Sequence, residues 1–351
     1  MLAENAYLHG KPISTGLLRS QISDFKVFEQ LPFLPCGEGE HLFIHLRKTG
    51  ANTLFVAREL AKYFNVKEQL VSYAGLKDRF AITQQWFGVH VPGKQVYDLS
   101  DLAIEGVEVL HAERHNKKLR TGALTGNRFE LILRDVSHLK ELATRWQAIT
   151  AAGVPNYFGE QRFGIDGGNI DRAFALFSGT KVKDKKKRGI YLSAARSAIF
   201  NHVISKRIED NQFSELLVGD VLMLAGTQSV FLYQASESSI QQRFIDKDLD
   251  ITAPMWGAGE LMTQGQAQVV EQDIADQHSA FCQGLPRFGL KQERRRIRLT
   301  ISNTDFEIMP TTNKTQQVKV SFFLPAGSYA TTVLRELLDY QDMTVRIKLD
   351  Q

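Results

Sequence analysis

The sequence predicts an α+β fold, because strand-like segments recur along the chain with helical segments between them. Residues 25–29 (FKVFE), 42–46 (LFIHL) and 127–134 (NRFELILR) alternate apolar and polar side chains, as half-buried strands do. In the last segment Phe129 shares one side with two leucines. These strands are far apart in the chain and no regular βαβ repeat joins them, so we expect a sheet domain of the α+β class.

The first helix is predicted within residues 52–64, where Asn52 or Thr53 can cap its start. Its apolar side chains recur at helical spacing on one face: Leu54, Ala57, Ala61 and Phe64. An apolar strand at 71–74 and a second strand at 85–91 follow, with a tight turn at 75–79 between them. This arrangement places residue 78 at the tip of a turn.

The composition of the chain changes near residue 153. The stretch that follows, GVPNYFGEQRFGIDGGN, is rich in Gly, Asn and aromatic residues, which is typical of hinge or binding loops. A helix is predicted at 193–208, opened by Ser193, and strand alternation returns at 317–323 (QVKVSFF). A last helix follows a turn that Ser328 can cap. We therefore predict one domain from residues 1–152 plus 302–351, into which residues 153–301 are inserted as a second domain.

The overall composition is that of a globular protein, with 43% hydrophobic and 23% charged residues among 351. The two cysteines, Cys36 and Cys282, are far apart and outside any CxxC spacing. This disfavours a disulfide framework or a zinc site and fits a reducing compartment. No basic-then-apolar leader and no bilayer-spanning apolar run is visible, so we expect a cytoplasmic protein without a membrane segment.

Positive charge is clustered, although the net charge is only +4. Residues 181–188 (KVKDKKKR) hold six basic side chains against one acid, and further basic runs occupy 114–120 and 294–298. A solvated surface explains any single run, whereas three runs favour a polyphosphate partner, because Lys and Arg displace counterions from nucleic-acid backbones. The candidate backbone contacts are Lys185, Lys186, Lys187 and Arg188.

Residues 75–90 (GLKDRFAITQQWFGVH) contain the main candidate for chemistry. Gly75 permits a tight turn after an apolar strand, and Asp78 follows between Lys77 and Arg79. Two adjacent cations favour an ionised carboxylate, which is the form that a nucleophile or general base needs. The alternative is an aspartate that only caps its own turn, a common role for this residue.

This segment resembles the catalytic motif of the TruD-type tRNA pseudouridine synthases, in which G-x-K-D is followed by a Thr, Gln and Trp stretch. Five other segments resemble motifs of that family in the expected order: GKPISTGLLRSQISDFKVFE, TGALTGNRFELILR, GVPNYFGEQRFG, YLSAARSAIFN and FLPAGSYATTVLREL. They span nearly the whole chain. The resemblance implies a mixed, largely antiparallel pseudouridine-synthase sheet flanked by helices, with an inserted α/β domain that forms the other wall of an RNA-binding cleft.

The resemblance further implies an isomerase that converts uridine to pseudouridine in tRNA, at position 13 of the D arm, with Asp78 as nucleophile. In that family the carboxylate either attacks the ribose C1′ or assists abstraction of the C2′ proton, and the released base rejoins the ribose through C5. Such a rearrangement needs no cofactor, and the sequence has neither a G-x-G-x-x-G turn nor a P-loop. We expect tRNA as the partner, no cofactor and a monomer.

A stacked uridine must be flipped out of its helix before it is modified, and the flipped base needs an aromatic face and hydrogen bonds to its edge. By the resemblance, Phe129 of the family's N-x-F motif is the candidate face, although ordinary core packing is the alternative. Asn127, on the same side of the strand, offers both a donor and an acceptor.

The same resemblance suggests residues around Asp78. Arg19 stands where the family has a lysine and is expected to pair with Asp78, with a changed reach. Phe25 is interpreted as a pocket wall, Glu29 as a structural or pocket carboxylate, and Lys77 as a contact to a phosphate or to Asp78. Near the last helix, Gly327 and Ser328 could present N–H groups to a phosphate, with an ordinary helix cap as the alternative.

Two other functions compete with this one. A non-catalytic RNA-binding protein would not need the complete G-x-K-D motif, and a methyltransferase would need a glycine-rich cofactor site that the sequence lacks. No metal is expected, because the histidines show no metal-ligand spacing with carboxylates or cysteines: His41, His45, His90, His111 and His115.

Overall fold

The structure, a computed structural model, describes residues 4–93, 95–235, 238–310 and 315–344. Packing divides these residues into two compact units. We call residues 12–150, 301–330 and 337–344 the sheet unit, and residues 4–11, 151–300 and 331–336 the insert unit. No helix in the described part of the chain is long and apolar enough to cross a membrane.

Strands and helices are interspersed along the chain. The strands are β1 (Thr15–Leu18), β2 (Phe25–Gln30), β3 (His41–Thr49), β4 (Val71–Tyr73), β5 (Ile82–His90), β6 (Val107–His115), β7 (Gly126–Leu133), β8 (Val154–Pro155), β9 (Val221–Leu224), β10 (Val230–Leu232), β11 (Leu249–Met255), β12 (Glu293–Arg296), β13 (Arg298–Leu299), β14 (Ser302–Met309), β15 (Gln317–Pro325) and β16 (Asp339–Asp342). The α-helices are α1 (Thr53–Tyr63), α2 (Leu139–Ala152), α3 (Gly168–Phe177), α4 (Lys185–Glu209), α5 (Ser238–Ile245), α6 (Gly265–Gln277), α7 (Ser279–Gly284) and α8 (Ala330–Leu337).

The sheet unit is built on a mixed sheet in the order β14-β15-β7-β2-β5-β3-β6, with β4 also paired to β5. Strands β2 and β5 are parallel, and the other pairings of this sheet are antiparallel. Strands β1 and β16 form a separate parallel pair. The α+β class and the largely antiparallel sheet predicted from the sequence are therefore confirmed.

One face of this sheet, which we call the inner face, is marked by a row of residues in register across five strands: Lys48, Thr83, Val27, Phe129 and Phe322. Directly paired residues point to the same side of a sheet, so this row shares one face. Helix α1 packs against β3 and β5 in one apolar cluster. Towards the other end of the sheet, α2 covers β15, where the ring centroids of Trp146 and Phe322 are 6.1 Å apart. Strands β2 and β7 run between the two covered regions.

Helix α1 begins as the sequence predicts, because the Asn52 side chain accepts a hydrogen bond of 2.8 Å from the N–H of Leu54. The predicted apolar stripe is wrong at Leu54, which is half exposed. The buried stripe instead follows Val56, Leu60 and their neighbours, which meet the inner face.

Helix α4 begins at Lys185, so the predicted start at Ser193 is wrong. The Asp184 carboxylate accepts hydrogen bonds from the N–H groups of Lys186 and Lys187, at 2.8 and 3.2 Å. This cap satisfies two unpaired donors and places a negative charge at the positive end of the helix. Apolar periodicity begins only with the buried Tyr191, so the exposed basic first turn gave no periodic signal.

The insert unit contains an antiparallel sheet in the order β10-β9-β11-β12 and a short pair, β13 with β8. It also includes residues 4–11 and 331–336, which are distant in sequence. Arg335 donates to the carbonyl of Ala6 at 3.1 Å, and the Glu336 carboxylate accepts from the N–H groups of Leu8 and His9. These bonds explain why the N-terminal segment belongs to this unit.

Candidate active site

Asp78 lies in the loop between β4 and β5, within the sheet unit. Its side chain is 41% exposed. The loop is tied to its surroundings, because the Gln85 amide donates to the carbonyl of Gly75 at 2.5 Å and Thr53 Oγ1 accepts from the N–H of Lys77 at 3.1 Å. A fixed loop with an accessible carboxylate at its tip is the arrangement that a nucleophile requires.

Arg19 brings a positive charge to Asp78 from a different part of the chain. Its Nη2 lies 3.8 Å from Asp78 Oδ2, and its Nε lies 3.8 Å from Asp342 Oδ2. The guanidinium carbon is 4.3 Å from the centroid of the Phe25 ring, which is itself buried. Both carboxylate distances exceed a hydrogen bond, so the guanidinium stabilises negative charge without locking the Asp78 oxygens in place.

Lys77, which was expected to contact a phosphate or Asp78, pairs with Glu29. Its Nζ lies 2.5 Å from Glu29 Oε2, and the two side chains are 6% and 0% exposed. The second oxygen of Glu29 accepts from the N–H of Trp86 at 3.0 Å. The Lys77 ammonium is thus neutralised by Glu29, and the pair fastens the Asp78 loop to the centre of the sheet.

Arg79, the other cation beside Asp78 in sequence, turns elsewhere. Its side chain is exposed and its Nε donates to the carbonyl of Gly50 at 3.3 Å. The positive charge near Asp78 therefore does not come from its two sequence neighbours. The guanidinium that reaches the carboxylate is that of Arg19, which lies far away in sequence.

Glu29→Ala is expected to lower the free energy of unfolding by about 3–5 kcal/mol, because it leaves the buried Lys77 ammonium without its partner. Thermal or urea unfolding measures this. The matched control is Glu59→Ala, whose partner Lys62 is 73% exposed and whose pair should contribute about 0–1 kcal/mol. Equal effects of the two substitutions would contradict a buried, structural Glu29–Lys77 pair.

Phe129 lies in the middle of β7 and belongs to an aromatic cluster on the inner face. Its ring stacks on Phe322 at 5.5 Å between centroids and meets the edge of Phe25 at 6.2 Å. It is 8% exposed. Packing is therefore one of its roles, as the core-packing alternative predicts, while a small part of the side chain remains accessible.

Asn127 lies two residues before Phe129 on the same face of β7, in register with Glu29. Its Oδ1 is buried and accepts no hydrogen bond from a described residue. A buried amide oxygen without a partner is unfavourable, so such atoms usually mark a position that a ligand or water satisfies. Asn127 therefore carries an acceptor that no described residue uses.

Lys48, which no sequence motif marked as a site residue, is fully buried on the inner face. Thr83, its neighbour in register, is also fully buried, and its hydroxyl lacks a hydrogen-bond partner among the described residues. The alternation of β3 held a signal for the lysine. Leu42, Ile44 and Leu46 point inward at every second position, and residue 48 continues that series.

The three basic runs differ in how exposed their side chains are and in the partners that these side chains have. Residues 185–187 are exposed, and Arg188 is half-buried, on the first turn of α4. In the run 294–298, by contrast, Arg294 is buried and pairs with Glu271 at 2.7 Å. In the run 114–120, Arg114 donates to backbone carbonyls. These two arginines therefore have partners within the protein, and the exposed run on α4 remains as the candidate contact to a polyphosphate.

The histidines of β3, β5 and β6 lie with the aromatic residues of the opposite face. His45 stacks on Trp86 at 4.6 Å between centroids, and His115 stacks on Phe33 at 4.9 Å. Burial lowers the pKa of His45 to about 4. Within the described ranges, no group of three or more His, Cys, Asp or Glu side chains is arranged to hold a metal ion.

Comparison with known proteins places these features in a family. Residues 1–171 and 177–337 match the family model described as tRNA pseudouridine synthase D (TruD). The chain is 74% identical over 352 residues to a tRNA pseudouridine synthase D of Colwellia psychrerythraea, covering 99% of this chain and 96% of that protein. It is 46% identical over 342 residues to that of Aeromonas hydrophila, covering 97% and 96%.

A solved structure shares the fold. The crystal structure named "Putative tRNA pseudouridine synthase D (TruD)" from Methanosarcina mazei matches with a TM-score of 0.76 and covers 96% of both chains. Sequence identity to it is 21%, so this likeness speaks for the fold alone.

Proposed function

We propose that Asp78 is the nucleophile of this protein, which belongs to the tRNA pseudouridine synthase D (TruD) family. The protein isomerises uridine to pseudouridine in tRNA. The observation that carries the assignment is the accessible Asp78 carboxylate on a loop tied at Gly75 and Lys77, with the Arg19 guanidinium 3.8 Å away.

The reaction exchanges one bond to the ribose for another. The bond between uracil N1 and ribose C1′ breaks, a bond between C5 and C1′ forms, and the proton lost from C5 is balanced by one gained at N1. A carboxylate begins this either by attack on C1′ or by taking the C2′ proton, and both routes need an anionic, reachable oxygen. Arg19 stabilises that anion, while its distance leaves the oxygen able to approach the sugar.

The base is proposed to be held by β7. A flipped uracil can stack on the accessible part of Phe129, whose ring is fixed by Phe322 and Phe25. The buried Oδ1 of Asn127, which has no partner among the described residues, can accept a hydrogen bond from uracil N3–H. The released base must turn on its stacking face, so it can have only few fixed polar contacts. Phe129 would supply the stacking face, and Asn127 would supply a single hydrogen bond.

The finer specificity is also a proposal. We assign the modified uridine to position 13 of the D arm, as the family resemblance implies, and we propose a monomer that acts in the cytoplasm without a cofactor. The test is to map pseudouridine in tRNA from cells that lack this protein. Loss at position 13 alone supports the assignment, whereas loss at another position would replace it.

The insert unit is proposed to bind the RNA backbone through the first turn of α4. Changing Lys185, Lys186, Lys187 and Arg188 together to Ala is expected to weaken binding of all tRNAs alike, because phosphate contacts carry no sequence information. In a salt titration, the slope of log affinity against log salt should become shallower by at most about one unit for each lost contact. The single-turnover rate at saturating tRNA should change little.

The helix itself should survive this change, since Asp184 still caps it and alanine favours helix. The control replaces Lys62 and Lys67, two exposed lysines of the sheet unit, with Ala. If the fourfold variant shows the affinity and salt slope of the wild type, the run on α4 is a solvated surface and the RNA contacts lie elsewhere.

A further inference from the structure

Lys48, near the end of β3, has a fully buried side chain. Burial removes the hydration of an ammonium ion, so lysine is almost never found inside a protein unless a carboxylate pairs with it. Among the described residues, its direct polar contact is instead with the carbonyl oxygen of Ala51, at 3.1 Å. A lysine in this position therefore requires an explanation beyond ordinary packing.

The first explanation lies in the turn that Lys48 holds. Its hydrogen bond to Ala51 holds residues 50–52, the turn between β3 and α1. The Asp78 loop is fastened on both sides of the aspartate, to Gly50 in this turn and to Thr53, the first residue of α1. On one side, Arg79 Nε donates to Gly50 O at 3.3 Å; on the other, the N–H of Lys77 donates to Thr53 Oγ1 at 3.1 Å.

The second explanation is electrostatic. Burial, followed by the nearby Lys77, lowers the pKa of Lys48 to about 8, whereas Asp78 and then Glu29 act to raise it. Glu29 is already bound to the Lys77 ammonium at 2.5 Å. Asp78, from the loop between β4 and β5, is the other nearby carboxylate, and it raises the pKa of Lys48 more than Glu29 does.

The row in which Lys48 stands gives its place in the site. It is paired in register with Thr83, which is followed across the sheet by Val27 and then Phe129. The lysine and the proposed base-stacking ring therefore stand on the same face, three strands apart, or roughly 15 Å. Lys48 lies on the Asp78 side of the site and too far from Phe129 to touch a base stacked there.

We propose that Lys48 is a positioning residue for Asp78. Its ammonium fixes the turn to which the Asp78 loop is fastened, and it supplies a buried positive charge that holds the Asp78 carboxylate in its reactive place. This role rests on the proposed function of Asp78 as nucleophile. It requires the charge of Lys48 as well as its hydrogen bond, and this separates it from a purely structural contact.

Lys48→Gln keeps an N–H donor for the carbonyl of Ala51 but has no charge, so a loss of rate in this variant reports the charge. Lys48→Met removes both the charge and the donor and gives their combined effect. Both are expected to lower the single-turnover rate on unmodified tRNA at least tenfold, with the dissociation constant within twofold of the wild type. The matched control is Lys62→Gln on the exposed face of α1, which should behave as the wild type.

The pH profile gives a readout that a structural role would not change. The charged groups that face Lys48 are Lys77 and Asp78 of the loop and Glu29 of β2. As pH rises through about 8, Lys48 loses its proton, so the wild-type rate should fall. The pH profile of Lys48→Gln should lack this fall. Titration of the substrate uracil affects both proteins alike, so the difference between the two profiles reports the titration of Lys48.

The outcomes are distinct. Wild-type rates and an unchanged pH profile in Lys48→Gln overturn the proposal, even if the melting temperature drops. If Lys48→Met does not fold, the rate of Lys48→Gln and its pH profile, compared with those of the wild type, still test the proposal. Asp78→Asn is measured in parallel: activity in that variant overturns the proposed nucleophile, whereas an inactive Asp78→Asn beside fully active Lys48 variants overturns the role of Lys48 alone.

Discussion

Asp78→Asn is expected to reduce pseudouridine formation by roughly a thousandfold or more, since it removes the anionic oxygen that we propose attacks C1′ or takes the C2′ proton. Folding should be nearly unaffected. The carboxylate is 41% exposed and its ion contact with Arg19 is 3.8 Å long, so losing this contact changes stability by at most about 1 kcal/mol. Asn keeps the size and the hydrogen-bonding capacity of the side chain.

The measurement is a single-turnover assay on unmodified tRNA, with binding and thermal unfolding followed in parallel. Asp101→Asn is the matched control, because Asp101 is an exposed carboxylate of the same unit. The control should retain wild-type activity. Turnover of Asp78→Asn within tenfold of the wild type would refute the nucleophile assignment.

Phe129→Ala is expected to cause the second largest loss of turnover among the variants described, and it should also lower the free energy of unfolding. The ring packs on Phe322 and Phe25, so truncation leaves a cavity that costs about 3–5 kcal/mol. The folded fraction should also lose roughly a hundredfold or more in turnover, because the flipped base loses the face that positions it. The loss of activity should therefore exceed what unfolding explains.

Leu131→Ala separates the two effects. Leu131 lies on the same strand and face as Phe129, is fully buried, and has no proposed contact with substrate. Its truncation should cost about 2–5 kcal/mol while the folded protein keeps normal turnover. Both variants are assayed at a temperature where unfolding curves show them folded. Normal specific activity in Phe129→Ala would make this residue a core residue only.

Much of the sheet unit was accessible from the sequence, because side-chain alternation reports which residues a sheet buries. The strand signals at 25–29, 42–46 and 127–134 correspond to β2, β3 and β7, and the Asn52 cap marks the start of α1. These features are local. They depend on backbone hydrogen bonding and on burial of one face, both of which a short segment determines.

Long-range partners could not be predicted from neighbouring residues in the same way. The residues beside Asp78 suggested that Lys77 and Arg79 surround it, whereas Lys77 pairs with Glu29. The contact of Arg19 with Asp78 was expected from the family resemblance and not from any local pattern. Arg294 is a similar case, since a basic run suggests a surface and the structure pairs this residue with Glu271 in the interior. Which charges meet depends on tertiary packing, which adjacent residues do not determine.

The sequence contained a signal for the burial of Lys48, but this signal was not used to predict a site residue. Its place in the inward series of β3 marks it as buried, yet burial alone does not indicate a role. The proposed role depends on the contacts between the turn at 50–52, the loop of Asp78 and the pair of Lys77 with Glu29, which are distant in sequence.

The central claim is that this chain forms pseudouridine in tRNA with Asp78 and without a cofactor. The most direct test incubates the purified protein with unmodified tRNA in buffer alone and maps pseudouridine chemically, beside the Asp78→Asn variant. One pseudouridine, at position 13, is expected with the wild type, and none with the variant. Absence of pseudouridine with the wild type, or an equal yield with Asp78→Asn, would contradict it.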